Sequence, residues 1–430
     1  MNEPAVTRLE VRLERTPTQV ELIGRLALFR GQVLCELTTS FLAGTRSISP
    51  FKLVMQPGVQ TGPGELRHGL HGVFDDSLPD GWGLLLMDRV FRARGLAPDR
   101  LSALDRLAYL GRRTLGALTY HPCTETDLDE VEVVKLGELA SAALGVYEGS
   151  AAEVLPALQR AGGSPGGARP KVLVGVRGDK FISGADDLPI GYRPWLIKFN
   201  TRDEPADAGA LEYAYARMAR SSGVTTPEPR LFELPGGERC FGVRRFDRDD
   251  GGRVHMHTLA NLLHVDYRTP SLDYEHLIRV TMQLTKDHRH VRECFRRALF
   301  NWLAHNRDDH GKNFAFLMRD DGAWELSPAY DLTFSGGPGG EHTMTYAGQG
   351  KRPRWSDLQR LARLASIDAA DALQILGEVR AGVGSWTTEA QALQLPRAQI
   401  QEIAGRLAEV EAAGELPPRT PAPTRRKGRP

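Results

Sequence analysis

Two short polar stretches separated by an apolar run constrain this chain most. The first is Asn306-Arg307-Asp308-Asp309-His310-Gly311-Lys312-Asn313, the run Phe-Ala-Phe-Leu-Met fills residues 314–318, and the second is Ser327-Pro328-Ala329-Tyr330-Asp331. A short apolar run bounded by turn-forming residues reads as a buried strand. An acid and an amide therefore stand before the strand, and a second acid stands after it. Asp, Asn and Gly also favour turns for local hydrogen-bonding reasons, so an ordinary polar turn is the plain alternative. Chemistry requires partners elsewhere in the chain.

At 430 residues the chain exceeds one small core; at about 150 residues per domain it makes two or three lobes. With 55 basic against 54 acidic residues, no global charge drives it onto nucleic acid or an anionic membrane. Cys35, Cys123, Cys240 and Cys294 are scattered without a Cys-x-x-Cys pair, which excludes a disulfide framework and a zinc site of that type. No stretch approaches the roughly 18 apolar residues of a membrane span, and the N-terminus is interrupted by Glu3, Arg8, Glu10 and Arg12. A cytoplasmic protein with no membrane partner is expected.

Leu9, Val11, Leu13, the apolar cluster at 26–29, and Val33 and Leu34 around an Arg30-Gly31 turn predict a small β-rich lobe, taken here as residues 1–122. Residues 84–95 and 101–110 carry helical spacing within it, and Gly111 can end the second helix. Two strand-like runs, 171–176 and 195–199, and a helical stretch, 204–221, fall in a second region, 123–248. From 249 to 415 the pattern is mainly helical, with Val291, Cys294, Phe295, Ala298, Leu299, Trp302 and Leu303 sharing one face. Residues 416–430, rich in proline and basic side chains, are expected to be a disordered basic tail.

Several weak signals supply the partners that the opening stretch needs. The small-residue loop 162–168 lets backbone N–H groups approach phosphate oxygens, although a Gly/Pro hinge would look the same. Lys198 sits among Trp195, Leu196, Ile197 and Phe199, and a lysine in such a strand is costly unless its charge is paired. Glu212 on the next helix can steady its ammonium, and an ATP phosphate can complete the pairing; an edge-strand lysine reaching solvent is the alternative. Arg245-Phe246-Asp247-Arg248 could form a hinge that holds adenine and offers Asp247 to a ribose hydroxyl. His255 and His257 lack further ligands at metal spacing and are expected to be surface strand histidines. In protein kinases a loop acid acts as base, an amide five residues later binds Mg²⁺, and a later acid holds metal against the phosphates. Asp308, Asn313 and Asp331 have that order, and the spacing selects Asp308 over Asp309.

Leu78-Pro79-Asp80-Gly81-Trp82-Gly83, Gly116-Ala117-Leu118, Ser164-Pro165-Gly166-Gly167-Ala168-Arg169-Pro170-Lys171, Arg245-Phe246-Asp247-Arg248, Asp308-Asp309-His310-Gly311-Lys312-Asn313 and Pro328-Ala329-Tyr330-Asp331-Leu332 stand in one order along nearly the whole chain. In that order they resemble the HipA family of type II toxin–antitoxin serine/threonine kinases. The resemblance implies an α+β fold: a small β-rich N-terminal lobe on a two-lobed protein-kinase-like core with an all-helical C-terminal lobe. It implies ATP and Mg²⁺ as cofactors, Asp308 as catalytic base, and Asn313 and Asp331 as metal ligands. Gly166, Gly167, Ala168, Arg169, Pro170 and Lys171 would cover the phosphates, with Lys198 binding phosphate beside Glu212. Arg244, Arg245 and Phe246 would line adenine, and His310, with Gly311, Lys312 and Tyr330 in the same motifs, would contact the nucleotide. Ser164 matches a serine that such kinases phosphorylate on their own loop, silencing themselves. The implied partners are a HipB-like DNA-binding antitoxin, through which DNA is reached indirectly, and a protein substrate, which in the family can be an aminoacyl-tRNA synthetase. Arg244 departs from the acidic residue that family members often carry there. A small-molecule kinase and a catalytically silent antitoxin-binding scaffold are the rival expectations.

Overall fold

The computed structural model describes residues 6–418 except 65, 126–130, 152–153, 163–165, 184–187, 205–206 and 251; Ser164 and the tail from 419 onward lie outside the described residues. The chain divides into two compact units. One comprises Met1–Tyr213, Thr226–Ser271 and His310–Asp331, the other Ala214–Thr225, Leu272–Asp309 and Leu332–Pro430. The α+β class is as expected.

In the first unit the β-rich N-terminal segment is a five-stranded antiparallel sheet, with strands Val59–Thr61, Gln32–Leu37, Gln19–Phe29, Arg8–Thr16 and Leu118–His121 in spatial order. A six-stranded sheet follows in the order Pro229–Glu233, Arg239–Arg244, Arg193–Lys198, Lys171–Arg177, Lys180–Ile182 and Val133–Val134. Because side chains alternate along a strand, Val172, Val174, Val176, Trp195 and Ile197 share one face. That face joins Trp82, Leu86, Leu139, Ala143 and Leu158 in one core. These come from the helices Gly81–Ala93, Leu136–Tyr147 and Pro156–Gly162. Each large apolar side chain buried there contributes about 1.5–3 kcal/mol, so the opposite face can carry charge. Lys171 and Lys198 lie on that opposite face.

A three-stranded sheet of His255–Thr258, Ala315–Met318 and Trp324–Leu326 carries the apolar run predicted after Asn313, with residues 315–318 all buried. His255 and His257 are a correction: they are 2% and 0% exposed, not surface histidines. Their strand is covered on both faces, which alternation alone does not reveal. Burial pushes the His255 imidazole down to about 4. His257 Nδ1 lies 2.6 Å from Asp76 Oδ2, and its Nε2 lies 3.0 Å from Ser49 Oγ. That is the bonding order of a nucleophilic triad, but Ser49 and His257 are completely buried, so the trio works as an internal joint.

The second unit holds the helices Tyr274–Thr285, His288–Leu303, Trp355–Leu364, Ala369–Val383, Trp386–Ala392 and Arg397–Ala413. The helix His288–Leu303 starts at Asp287, whose carboxylate accepts the Arg289 N–H at 2.8 Å, and buries the face expected from its spacing. Among the described residues, no helix is long and apolar enough to cross a membrane.

Candidate active site

Antiparallel pairing of Lys171–Arg177 with Arg193–Lys198 sets Lys171 directly opposite Lys198. Like charges facing one another on adjacent strands repel, and both are buried, at 3% and 8% exposure. Two carboxylates offset the repulsion: Lys198 Nζ lies 2.5 Å from Glu212 Oε1 and 2.5 Å from Asp331 Oδ1. Burial alone would depress the Lys198 ammonium, but Asp331 and Glu212 outweigh it and hold its pKa above the ordinary value. Lys171 has no such excess: burial, then the neighbouring Lys198, bring it down to about 8. Asp331, half-buried, is held well below the usual carboxylate range, its partial desolvation overridden first by Lys198 and then by Lys171. Its backbone has φ +56°, a left-handed conformation open to Asp at some cost.

The loop before Lys171 is fixed by its own residues and by the Leu78–Gly83 motif. Gly166, Gly167 and Ala168 are exposed, Arg169 is half-buried and Pro170 is buried. Arg169 donates to the Phe199 carbonyl at 3.1 Å, to Glu212 at 2.8 Å and to Asn200 at 2.8 Å, so it anchors the loop. Gly167 has φ +95°, a backbone conformation that favours glycine, and a Cβ there would stand 2.6 Å from the end of the Lys171 side chain. The Asp80 carboxylate accepts the Gly167 N–H, and Lys171 Nζ donates to the Gly166 carbonyl.

Gly311–Asn313 forms a single 3₁₀ turn, with the Asn313 N–H bonded to the His310 carbonyl at 2.8 Å. The Tyr330 hydroxyl donates to the Lys312 carbonyl at 2.6 Å, which joins the segment bearing Asn313 to the one bearing Asp331. An amide oxygen and an ionised carboxylate are a donor set that suits Mg²⁺ arriving with a nucleotide, because Mg²⁺ commonly takes one or two carboxylates and leaves other positions to phosphate and water. Among the described residues there is no cluster of three or more His, Cys, Asp or Glu side chains able to hold a metal by themselves. His310 packs against Tyr267, with ring centroids 5.2 Å apart. Phe246 and Tyr330, both half-buried, lie 5.3 Å apart at 34° and offer aromatic surface where an adenine was expected.

Asp247 differs from expectation. Its carboxylate is 3% exposed and accepts from Arg245 at 2.9 and 2.8 Å, from Arg248 at 2.8 Å and from the Gly116 N–H at 2.8 Å. Instead of turning to a ribose hydroxyl, it ties its strand end to the Gly116-Ala117-Leu118 motif, and Arg245 is buried with it. Arg244 is half-buried, 4.0 Å from Asp250.

The adjacent acids Asp308 and Asp309, both in the helical unit, part company. Asp309 is 1% exposed, and it accepts from the Tyr274 hydroxyl at 2.9 Å and from the Thr343 and Met344 N–H groups at 2.9 and 3.3 Å, with His342 Nδ1 at 2.9 Å. Asn301 donates to the same Tyr274 hydroxyl at 2.8 Å. Asp308 is exposed.

Sequence reasoning missed the roles of Asp80, Trp82 and Tyr267. Asp80 and Trp82 lay in a quoted motif, but their partners are 87 to 232 positions away, beyond the reach of any local spacing rule.

Comparison with known proteins places these features in a family context. The HipA-like C-terminal domain matches residues 163–409, and the HipA N-terminal domain matches residues 15–121. A protein of Sinorhizobium fredii that carries a provisional kinase name is 30% identical over 151 residues, 32% of this chain and 36% of its own. Another provisionally named kinase, from Haemophilus influenzae, is 25% identical over 185 residues, 40% of this chain and 52% of its own. The chain thus aligns with about a third to a half of the length of these relatives. The HipA, HipB and operator DNA complex of Shewanella oneidensis contains a chain that superposes with a TM-score of 0.68 at 16% identity, covering 95% of this chain and 96% of that one. At that identity the likeness concerns the fold.

Proposed function

The chain belongs to the HipA family, and from that premise we propose that it is an ATP- and Mg²⁺-dependent serine/threonine protein kinase, the toxin partner of a DNA-binding antitoxin. The observation that supports this best is the buried, opposed pair Lys171 and Lys198, bracketed by Asp331 and Glu212. Two ammonium groups pressed together on the charge-bearing face of the sheet need anions, and nucleotide phosphates add negative charge to that of the two carboxylates.

In this reading the lysine pair seats the phosphates, and Glu212 and Arg169 fix the pair's geometry. Asp308 accepts the proton of a serine or threonine hydroxyl as its oxygen forms a bond to the γ-phosphorus; the bond from that phosphorus to ADP breaks, and ADP leaves. Mg²⁺, held by Asn313 and Asp331, would neutralise charge that builds on the leaving phosphates. Phe246 and Tyr330 would receive the adenine. Ser164 is the proposed self-phosphorylation site, because a phosphate there would add about −1.5 to −2 charges two residues before the loop that would cover the ATP phosphates. DNA would be reached through the antitoxin, and the family's aminoacyl-tRNA synthetase substrates make such an enzyme the first protein to try.

Incubation of the purified chain with γ-labelled ATP and Mg²⁺, alone and with cell extract, tests the reading. Label is expected on protein, and Asp308→Asn is expected to lower its rate by about 100-fold to 10,000-fold. Label on no protein, or only on small molecules, would overturn the protein-kinase assignment. Phosphate located by mass spectrometry only at residues other than Ser164 would remove that serine from the proposal.

A further inference from the structure

Asp80 is the N-terminal cap of the helix Gly81–Ala93, yet its side chain makes no capping bond to that helix. Aspartate is among the best capping residues, so a carboxylate turned away from its own helix has been recruited elsewhere. It accepts the Gly167 N–H on one oxygen; on the other it meets Lys312 Nζ at 3.0 Å and the Tyr267 hydroxyl at 3.2 Å. The same turn holds the loop from the other side: the Trp82 N–H donates to the Gly167 carbonyl at 3.0 Å, and the Trp82 indole donates to the Lys171 carbonyl at 2.9 Å. Both ends of the Gly167 residue are therefore gripped by residues 80 and 82. The fit is close, since a Cβ at Gly81 would come 2.6 Å from the Gly167 carbonyl oxygen and one at Gly166 would come 3.0 Å from Asp80 Oδ1.

We propose that Asp80 and Trp82 are positioning residues that clamp loop 166–170 in its nucleotide-accepting form, with Lys312 as the counter-ion that keeps the Asp80 carboxylate in place. The loop's shape is thus set by a segment far upstream in the chain. The nucleotide consequence rests on the kinase reading; the clamp itself does not. Gly167 is held by a charge-assisted bond on one side and a backbone bond on the other, and the first depends on the Asp80 carboxylate. Losing the carboxylate favours release, while Trp82 and its core packing stay in place.

Hydrogen exchange and steady-state kinetics on the full chain separate the two claims. Asp80→Ala is expected to speed amide exchange at residues 166–169 by about tenfold, with the strands Lys171–Arg177 and Arg193–Lys198 unchanged. It is also expected to raise KM for ATP by about tenfold, with kcat at saturating ATP nearly retained. Asp80→Asn, which keeps an oxygen for the Gly167 N–H, should restore most of the exchange protection, and Lys312→Met should show a partial loss. Unchanged loop exchange in Asp80→Ala, or equal loosening of the two strands, would overturn the clamp. If Asp80→Ala does not fold, loop exchange in Asp80→Asn and Lys312→Met decides, and parental exchange in Lys312→Met would overturn the counter-ion role. A parent chain that binds no ATP while its loop exchange responds to Asp80→Ala would overturn the kinase reading and leave the clamp standing.

Discussion

Asp331, half-buried, and Asp309, buried, are both acids held by donors, but the donors differ in kind. Asp331 meets an ammonium at 2.5 Å, with a second lysine directly across the strand pair from the first. Asp309 meets a tyrosine hydroxyl, two backbone N–H groups and a histidine, all fixed by the packing of the helical unit. The first arrangement contains cations that an incoming anion can share, whereas the second is a polar knot built for shape. What marks a site is an acid still open to solvent whose partners carry charge that a ligand can recruit.

The largest break in that comparison comes from neutralising each acid. Asp331→Asn should fold and lose phosphoryl transfer by about 100-fold to 1,000-fold in kcat, read by label incorporation. Asp309→Ala should instead lower stability by about 3 kcal/mol in urea unfolding, because buried donors lose their acceptor. If Asp309→Ala kept its stability, or Asp331→Asn its activity, the distinction between the two acids would collapse.

Next in size is a pH effect carried by Lys171. In the nucleotide-free chain it gives up its proton near pH 8, against an ordinary 10.5. Bound phosphates favour the ammonium, so ATP binding near and above pH 8 should take up a fraction of a proton, approaching one. Affinity should fall by about tenfold over the next one to two pH units. For stability the sign is reversed: between about pH 8 and 10.5 the unfolded lysine keeps a proton that the folded one has lost, so the fold gains stability as pH rises. Calorimetry in buffers of different ionisation enthalpy measures the uptake, and Lys171→Met should abolish it.

Much of this contrast is legible in the sequence. Lys198 stood out because four apolar neighbours surround it in sequence, and Glu212 because it lies one helix further on; the two meet at 2.5 Å. Residues 315–318 and the helix His288–Leu303 followed from apolar spacing. The cross-strand meeting of Lys171 with Lys198 was not legible, since strand register depends on long-range pairing. Nor was the burial of His257 or Asp247, each of which has a partner more than 100 positions away. Spacing to Asn313 separated Asp308 from Asp309 in sequence, and burial separates them in the fold.

The smallest effect concerns the loop. Gly167→Ala forces a side chain into φ +95° and toward Lys171 Nζ. A strain of about 1 kcal/mol should appear as a rise of about fivefold in KM for ATP. An unchanged KM would mean that this loop does not cover the phosphates.

The central claim is that the buried lysine pair is a seat for nucleotide phosphates. Titrating Mg·ATP into the parent chain and into Lys198→Met by calorimetry tests it most directly, with circular dichroism confirming that both are folded. The account predicts binding by the parent and a loss of at least about 100-fold in affinity for Lys198→Met. Equal binding by two folded proteins would contradict it.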